Sequence, residues 1–213
     1  MNTKFLLLLM AASLTACVST TKISNDCAAG EAIIQDAKGG KTKMSVKDAF
    51  AKVKTGEKII LCAGRVELTE TLRIKDVDNV EVIGNKTELV AKVDMPVVVF
   101  DKSNNSSISG VLVVHEVGEW CSQNCLEIYN SSGVHVYDSK FDGSGYFGVV
   151  LWKASDCIIE KNEFYNCHYG FSSSGSSNIM LKSNSFSGNR GEDILGNEAS
   201  QYKNDLKKDN SFK

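Results

Sequence analysis

The sequence is poor in proline and has almost no excess of charge. Pro96 is the only proline among 213 residues, whereas glycine, serine and asparagine are common. This composition favours many short strands joined by tight turns, in a chain long enough for one good-sized domain or two small ones. The formal net charge is only -2, which gives no indication of binding to nucleic acid or to an anionic membrane surface.

The apolar segment near the N-terminus is too short to cross a bilayer as a stable helix. It follows Lys4 and leads into residues 14–17, which read Leu-Thr-Ala-Cys and resemble the lipobox of bacterial lipoproteins. The resemblance implies cleavage before Cys17 and acylation of Cys17, palmitate included, which would anchor the protein to a bacterial membrane. Val18 stands where an aspartate retention signal would stand, which favours the outer membrane, on its periplasmic or cell-surface side. The alternative is an ordinary secretory signal in which Cys17 is a chance cysteine.

The chain is predicted to divide into four segments. The signal peptide spans residues 1–16, the lipidated N-terminus and a polar tether span 17–44, the folded domain spans 45–197, and a polar tail spans 198–213. Ser45 suits the N-cap of a helix that opens the folded domain, and the apolar face of this helix consists of Val46, Ala49, Phe50 and Val53. We expect the helix to cover the first turn of the structure that follows.

Metal-binding motifs are lacking as well. No paired CxxC or His spacing accompanies the cysteines, which argues against a zinc site, and we expect no metal and no cofactor. Six cysteines remain besides Cys17, an even number that permits disulfides in an oxidising compartment. Cys121 and Cys125 lie close enough in sequence to close one loop, while a bond between Cys27 and Cys62 would tie the N-terminal tail to the first strand.

The folded domain repeats itself with a period of about 22 residues. Residues 156–164 match residues 178–186 position by position, so that Val136, Ile159 and Leu181 are equivalent and are expected to stack in one buried column. A second strand precedes each of these segments by six residues. Its inward positions are apolar and its outward positions vary, which is typical of a half-buried strand.

The repeat has an asparagine before a phenylalanine at a tight corner and lies behind the predicted helix and the sequence Gly-Glu-Lys-Ile-Ile-Leu of residues 56–61. In these features it resembles the right-handed parallel β-helix proteins of the pectin-lyase-like superfamily. The resemblance covers about residues 45–197 and implies an all-β solenoid, a right-handed parallel β-helix with a short N-terminal capping helix. It implies no single activity, because such coils host lyases, hydrolases, epimerases, adhesins and non-catalytic binders. By the same resemblance, residues 126–129 and 149–152 lie on the sheet that usually forms the floor of the substrate groove. A second, sharp corner carries Ser139, Asn162 and Asn184, and we predict a structural role for these three residues.

Aromatic side chains gather around this expected groove floor. The candidate binding residues are Tyr129, Trp152, Trp120, Glu127, Tyr146 and His168. Tyr129 and Trp152 project outward on adjacent turns and should stack, and flat aromatic faces of this kind suit sugar rings. The alternative is a cross-strand aromatic pair, with Trp120 packing its loop against the coil.

A catalytic constellation is harder to find. Glycosidases need two carboxyl groups about 5–9.5 Å apart, and Glu127 has no such partner in the predicted register. We therefore predict a non-catalytic envelope lipoprotein that binds a glycan or a protein partner. The alternatives are a polysaccharide lyase or glycoside hydrolase that uses Glu127 with His115 or Glu119, and a purely structural envelope spacer.

Overall fold

The computed structural model describes residues 27–116, 121–196 and 202–213. The predicted signal peptide, the lipidation site Cys17 and the candidates Glu119 and Trp120 lie outside the described residues. Within the described ranges, none of the helices is both long enough and apolar enough to cross a membrane.

Most of the described chain is β-strand, arranged in two sheets around one core. The smaller sheet has six strands: β5 Leu72–Lys75, β7 Val98–Asp101, β9 Leu126–Tyr129, β12 Phe147–Trp152, β15 Tyr169–Ser174 and β18 Ile194–Leu195. The larger sheet has thirteen strands: β1 Glu31–Gln35, β2 Lys41–Ser45, β3 Lys58–Leu61, β4 Gly64–Leu68, β6 Glu81–Ala91, β8 Ser107–His115, β10 His135–Tyr137, β11 Lys140–Asp142, β13 Ile158–Glu160, β14 Glu163–Tyr165, β16 Met180–Lys182, β17 Ser185–Ser187 and β19 Ser211–Phe212. The helices are α1 Val46–Lys52 and α2 Leu206–Asp209.

Successive turns of the chain stack to form a right-handed parallel β-helix of about six turns. Val136 pairs with Ile159 and Ile159 pairs with Leu181, all in parallel register, and the three side chains are fully buried. The predicted repeat and the predicted fold class are confirmed. Because each turn is too small to bury a core alone, the stability of the domain belongs to the stack of turns.

A column of phenylalanine rings runs through the interior of the coil. Phe141, Phe164 and Phe186 are fully buried, and successive ring centroids lie 5.3 and 4.7 Å apart. Phe212 continues the column at 5.2 Å from Phe186 and is 40% exposed. Such ring contacts each contribute about 0.5–1.5 kcal/mol beyond the burial of their area. The predicted polar tail therefore adds a strand, β19, and a last ring to the coil.

Buried asparagines hold the second corner of two successive turns. The Asn162 side chain donates to the carbonyl of Val136 at 2.9 Å, and its oxygen accepts from the backbone N–H of Ser139 at 3.0 Å. Asn184 makes the equivalent bonds one turn later, to Ile159 at 2.8 Å and from the N–H of Asn162 at 3.0 Å. The side chains satisfy backbone groups that the turn frees, which is the structural role predicted for this corner.

The N-terminal end of the coil is covered by α1. The Ser45 side chain accepts from the N–H of Asp48 at 3.0 Å and caps the helix as predicted, and Val46, Ala49 and Phe50 are buried beneath it. The expectation of a tether over residues 17–44 is wrong from residue 31 onward, because β1 pairs with both β2 and β3. The alternating burial of β1 is the period-2 pattern of a strand, which its polar surroundings conceal in the sequence.

The cysteines pair only partly as predicted. Cys27 and Cys62 form a disulfide, which ties the start of the described chain to the end of β3. Cys121 and Cys125 are free thiols, so the predicted bond between them is wrong. Each sulfur has its own partners: Cys121 Sγ accepts from the N–H of Gly145 at 2.7 Å, whereas Cys125 Sγ donates to carbonyl oxygens inside the coil, Val113 among them at 3.7 Å.

Candidate functional site

The outer face of the smaller sheet presents two parallel rows of side chains. Strand register defines a central row, which consists of Arg73, Val99, Glu127, Val150 and Ser172. It also defines an aromatic row, two positions further along each strand, which consists of Lys75, Asp101, Tyr129, Trp152 and Ser174. Because neighbouring strands lie about 4.8 Å apart, adjacent members of a row are in contact distance.

The aromatic row contains a stacked pair of rings. The ring centroids of Tyr129 and Trp152 lie 6.4 Å apart, and the ring planes differ by only 16°. Both side chains are half-buried, and the indole Nε1 of Trp152 is buried without a hydrogen-bond partner. Burial, together with the neighbouring Glu127 carboxylate, raises the pKa of Tyr129 to about 12, so its hydroxyl is neutral at physiological pH. Tyr129 and Trp152 thus stack on each other, as predicted.

The central row is closed rather than an open groove floor. Val99 and Val150 are 0% exposed, and Glu127 between them is only 5% exposed. The Asn124 amide donates to Glu127 Oε1 at 2.7 Å, and the Tyr129 hydroxyl also interacts with this carboxylate. Burial raises the pKa of Glu127, although these hydrogen bonds and the charge of Arg73 oppose the shift. Glu127 is therefore buried within this face of the sheet and offers little surface to a ligand.

Two residues of the catalytic alternative, Glu127 and His115, lie in the described part of the chain, and both are buried. His115 is 2% exposed, and its Nε2 lies 3.3 Å from the backbone oxygen of Asn124. Its Nδ1 is buried without a hydrogen-bond partner, and burial lowers the pKa of the ring. Asn124 thus links His115 to Glu127, and both titratable groups are buried. The contacts through Asn124 form a buried polar network that holds these side chains in place.

Tyr146 and His168 belong to a second aromatic cluster at the opposite ends of the strands. Tyr146 is 42% exposed and contacts Tyr169 edge-on at 5.8 Å, while the ring of His168 lies 4.4 Å from the ring of Tyr169. This cluster lies at the start of β12 and Trp152 at its end, about 16 Å away along the strand. The structure therefore divides those predicted binding residues that it describes into two groups. Tyr169 was missed, although it follows Phe147 by one repeat and pairs with it in register.

The fold is similar to those of known solved structures. The ORF18 protein of Geobacillus virus E2 aligns with a TM-score of 0.51 and 15% identity over 68% of this chain and 36% of that chain, so this chain spans about a third of the viral protein. A protein from Parabacteroides merdae, named as a candidate glycosyl hydrolase, aligns with a TM-score of 0.46 and 13% identity over 70% of this chain and 81% of that chain. At such identities the likeness concerns the fold alone. No curated protein matches the sequence.

One protein family matches residues 78–212, more than half of the chain, and its description is "Periplasmic copper-binding protein (NosD)". Copper in proteins is held by clustered thiolate, thioether or imidazole ligands. Within residues 27–116, 121–196 and 202–213, no group of three or more His, Cys, Asp or Glu side chains is positioned to hold a metal ion. The described residues thus do not fit a copper centre built from such a cluster. The chain belongs to the NosD family of periplasmic β-helix proteins.

Proposed function

We propose that this protein is a lipid-anchored envelope protein that binds a glycan on the aromatic row of its smaller sheet and does not catalyse a reaction. The observation that carries the proposal is the stacked, half-buried pair of Tyr129 and Trp152 on the outer face. Sugar rings present apolar C–H faces that pack on such surfaces while their hydroxyl groups hydrogen-bond at the edges.

The polar neighbours of the pair favour a sugar over a purely apolar ligand. Lys75 and Asp101 continue the row on one side, with 4.0 Å between ammonium and carboxylate, and the exposed Ser174 continues it on the other. A sugar can hydrogen-bond to all three groups, whereas an apolar ligand would remove them from water without compensation. The buried Nε1 of Trp152 leaves the ring surface as the part of the indole that a ligand contacts.

Isothermal titration calorimetry with peptidoglycan fragments, lipopolysaccharide and pectin-like oligomers tests the proposal. We expect one of these glycans to bind and Trp152→Ala to weaken its binding about tenfold, which corresponds to roughly 1.4 kcal/mol of lost stacking. Tyr137→Ala is a matched control, because Tyr137 also points outward from a strand but lies on the larger sheet. Trp152→Phe retains an aromatic face and should retain most of the affinity.

Absence of binding to all three glycans would refute the proposal and favour the structural envelope spacer. If the wild type and Trp152→Ala bind the glycan with equal affinity, and circular dichroism shows that both are folded, the glycan binds elsewhere than on the aromatic row.

Lipid attachment at Cys17 is the second part of the proposal, supported by the resemblance of residues 14–17 to a lipobox. Cells fed with labelled palmitate should label the wild type, and Cys17→Ser should abolish both the label and recovery in the membrane fraction. A Cys17→Ser protein that is still labelled and still found with membranes would contradict the anchor while leaving the glycan site untested by that result.

A further inference from the structure

Three polar side chains occupy the same position on successive turns, at the corner that leads into the smaller sheet. The carbonyl of Tyr146 accepts from the N–H of Tyr169 at 2.8 Å, and the carbonyl of His168 accepts from the N–H of Gly191 at 2.7 Å. Tyr146, His168 and Arg190 are therefore equivalent, and we call them the Tyr–His–Arg row. Tyr146 is 42% exposed, His168 is half-buried and Arg190 is exposed. Because successive turns lie about 4.8 Å apart, one sugar unit and its substituents can contact neighbouring members of the row.

The guanidinium of Arg190 is held in place by backbone carbonyls of two earlier turns. It donates to the carbonyl of Asn166 at 3.2 Å and to that of Ser144 at 3.3 Å, so the side chain reaches back to the turn that carries Tyr146. The carbonyl of Ser144 also accepts from the N–H of His168 at 2.8 Å. The guanidinium therefore lies beside the turns of the other two members of the row, and these bonds orient it before a ligand arrives.

Arg190 has no carboxylate partner in the described part of the chain. Arg65, by contrast, forms ion pairs with three glutamates on the larger sheet. Two acidic residues near the row, Asp142 and Asp193, accept from asparagine side chains instead, at 2.9 and 2.7 Å. The planar fork of a guanidinium fits a carboxylate or a phosphate, and the two bonds to backbone carbonyls leave most of its N–H donors for such a group.

Tyr169 adds an aromatic surface beside the row. Its ring lies 4.4 Å from the ring of His168 and 5.8 Å from that of Tyr146. A β-carbon added at Gly191 would lie only 2.8 Å from the Tyr169 ring, so this glycine lets the ring lie against the next turn. Among the described residues, neither tyrosine hydroxyl has a hydrogen-bond partner, and neither has the ring of His168. These groups can therefore bond to the hydroxyl groups of a sugar.

We propose that the Tyr–His–Arg row is a second subsite for the glycan and binds an anionic sugar unit through its carboxylate or phosphate group. The sugar ring packs on Tyr146, while the anionic group accepts from Arg190. This subsite rests on the proposed glycan binding, and it requires the glycan to be acidic. Since the row lies about 16 Å from Trp152 along β12, the glycan must be an oligomer to reach both sites.

Nuclear magnetic resonance of the histidine rings, at constant pH and salt, tests the subsite with monosaccharides. The chain has three histidines, of which His115 is buried and His135 lies on the larger sheet, so both serve as internal controls. We expect galacturonate or glucose 6-phosphate to shift the ring signals of His168 alone. The uncharged methyl ester of galacturonate and glucose should shift them only at concentrations at least tenfold higher. The charged sugar with the larger response identifies the anionic group as a carboxylate or a phosphate.

Three variants assign the interaction in the same measurement. Arg190→Gln should weaken the binding of the charged sugar about tenfold and leave that of its uncharged counterpart unchanged. Because Arg190 also bonds two backbone carbonyls, Tyr146→Ala is a second variant, in which an exposed ring is lost and both forms of the sugar should bind more weakly. Lys140→Gln removes the same charge from the larger sheet and should change neither affinity.

Unshifted His168 signals at the highest soluble concentration of both charged sugars would overturn the subsite, whatever binds at Trp152. Equal affinities of the wild type and a folded Arg190→Gln for the charged sugar would overturn it as well. If the charged sugars shift His168 as expected while Trp152→Ala binds the glycan as well as the wild type does, the site on the aromatic row fails and this subsite stands.

Discussion

The asparagine corner gives the sharpest quantitative prediction for the coil. In Asn184→Ala, the carbonyl of Ile159 loses its donor at 2.8 Å and the N–H of Asn162 loses its acceptor at 3.0 Å. Asn184 is 1% exposed, so water cannot readily replace the lost side chain. Each buried polar group left without a partner costs about 1–3 kcal/mol, which gives a loss of roughly 2–6 kcal/mol in the free energy of unfolding.

Urea denaturation followed by circular dichroism measures this loss, with an unchanged m-value as the sign that the denatured state is the same. Glu163→Ala is the control, because Glu163 pairs with Lys140 at 2.9 Å on the exposed outer face of the neighbouring turn, where an ion pair contributes about 0–1 kcal/mol. If Asn184→Ala lowers the free energy of unfolding by less than about 1 kcal/mol, the reasoning that the asparagine side chains satisfy the backbone at this corner is refuted.

Four further predictions concern other parts of the chain. Phe164→Ala should lower the free energy of unfolding by about 3–5 kcal/mol in the same assay, because it empties the middle of the ring column. Ser45→Ala should cost about 1 kcal/mol through loss of the helix cap, and a stability equal to the wild type would contradict the capping role. Glu127→Gln should raise the melting temperature at pH 7 but not near pH 4, because a carboxyl whose folded pKa is raised destabilises the fold only where the unfolded chain ionises it; equal effects at both pH values would argue against this assignment. His115→Gln should flatten the loss of stability as the pH falls below about 6.5, because the folded protein holds His115 with a lowered pKa and the unfolded chain takes up the proton first; an unchanged pH profile would show that His115 is not responsible.

The sequence predicts the coil well because the residues that recur in the repeat are the ones that the coil needs at each turn. Ile159 and Leu181 are apolar at equivalent positions since both face the dry interior, and Asn162 and Asn184 recur since each turn frees the same backbone groups. The strands β1 and β2 carry no copy of the repeat and pair antiparallel, so their place at the N-terminal end could not be inferred from it.

The site was predicted only in part. The stacking of Tyr129 on Trp152 follows from register alone, because equivalent outward positions on adjacent turns must meet. The burial of Glu127 does not follow from register, since its carboxylate interacts with Asn124 and Tyr129, which register does not predict. The distance between Trp152 and Tyr146 was missed because both were assigned to one groove, although they lie at opposite ends of β12.

The fluorescence of Trp152 tests the glycan site most directly. The chain has two tryptophans, so Trp120→Phe leaves Trp152 as the single indole reporter. If the aromatic row is the binding surface, adding the glycan that binds by calorimetry should shift the Trp152 emission to shorter wavelength and protect it from acrylamide quenching, with saturation at the calorimetric affinity. Unchanged emission and unchanged quenching at a glycan concentration that saturates the protein would contradict the account.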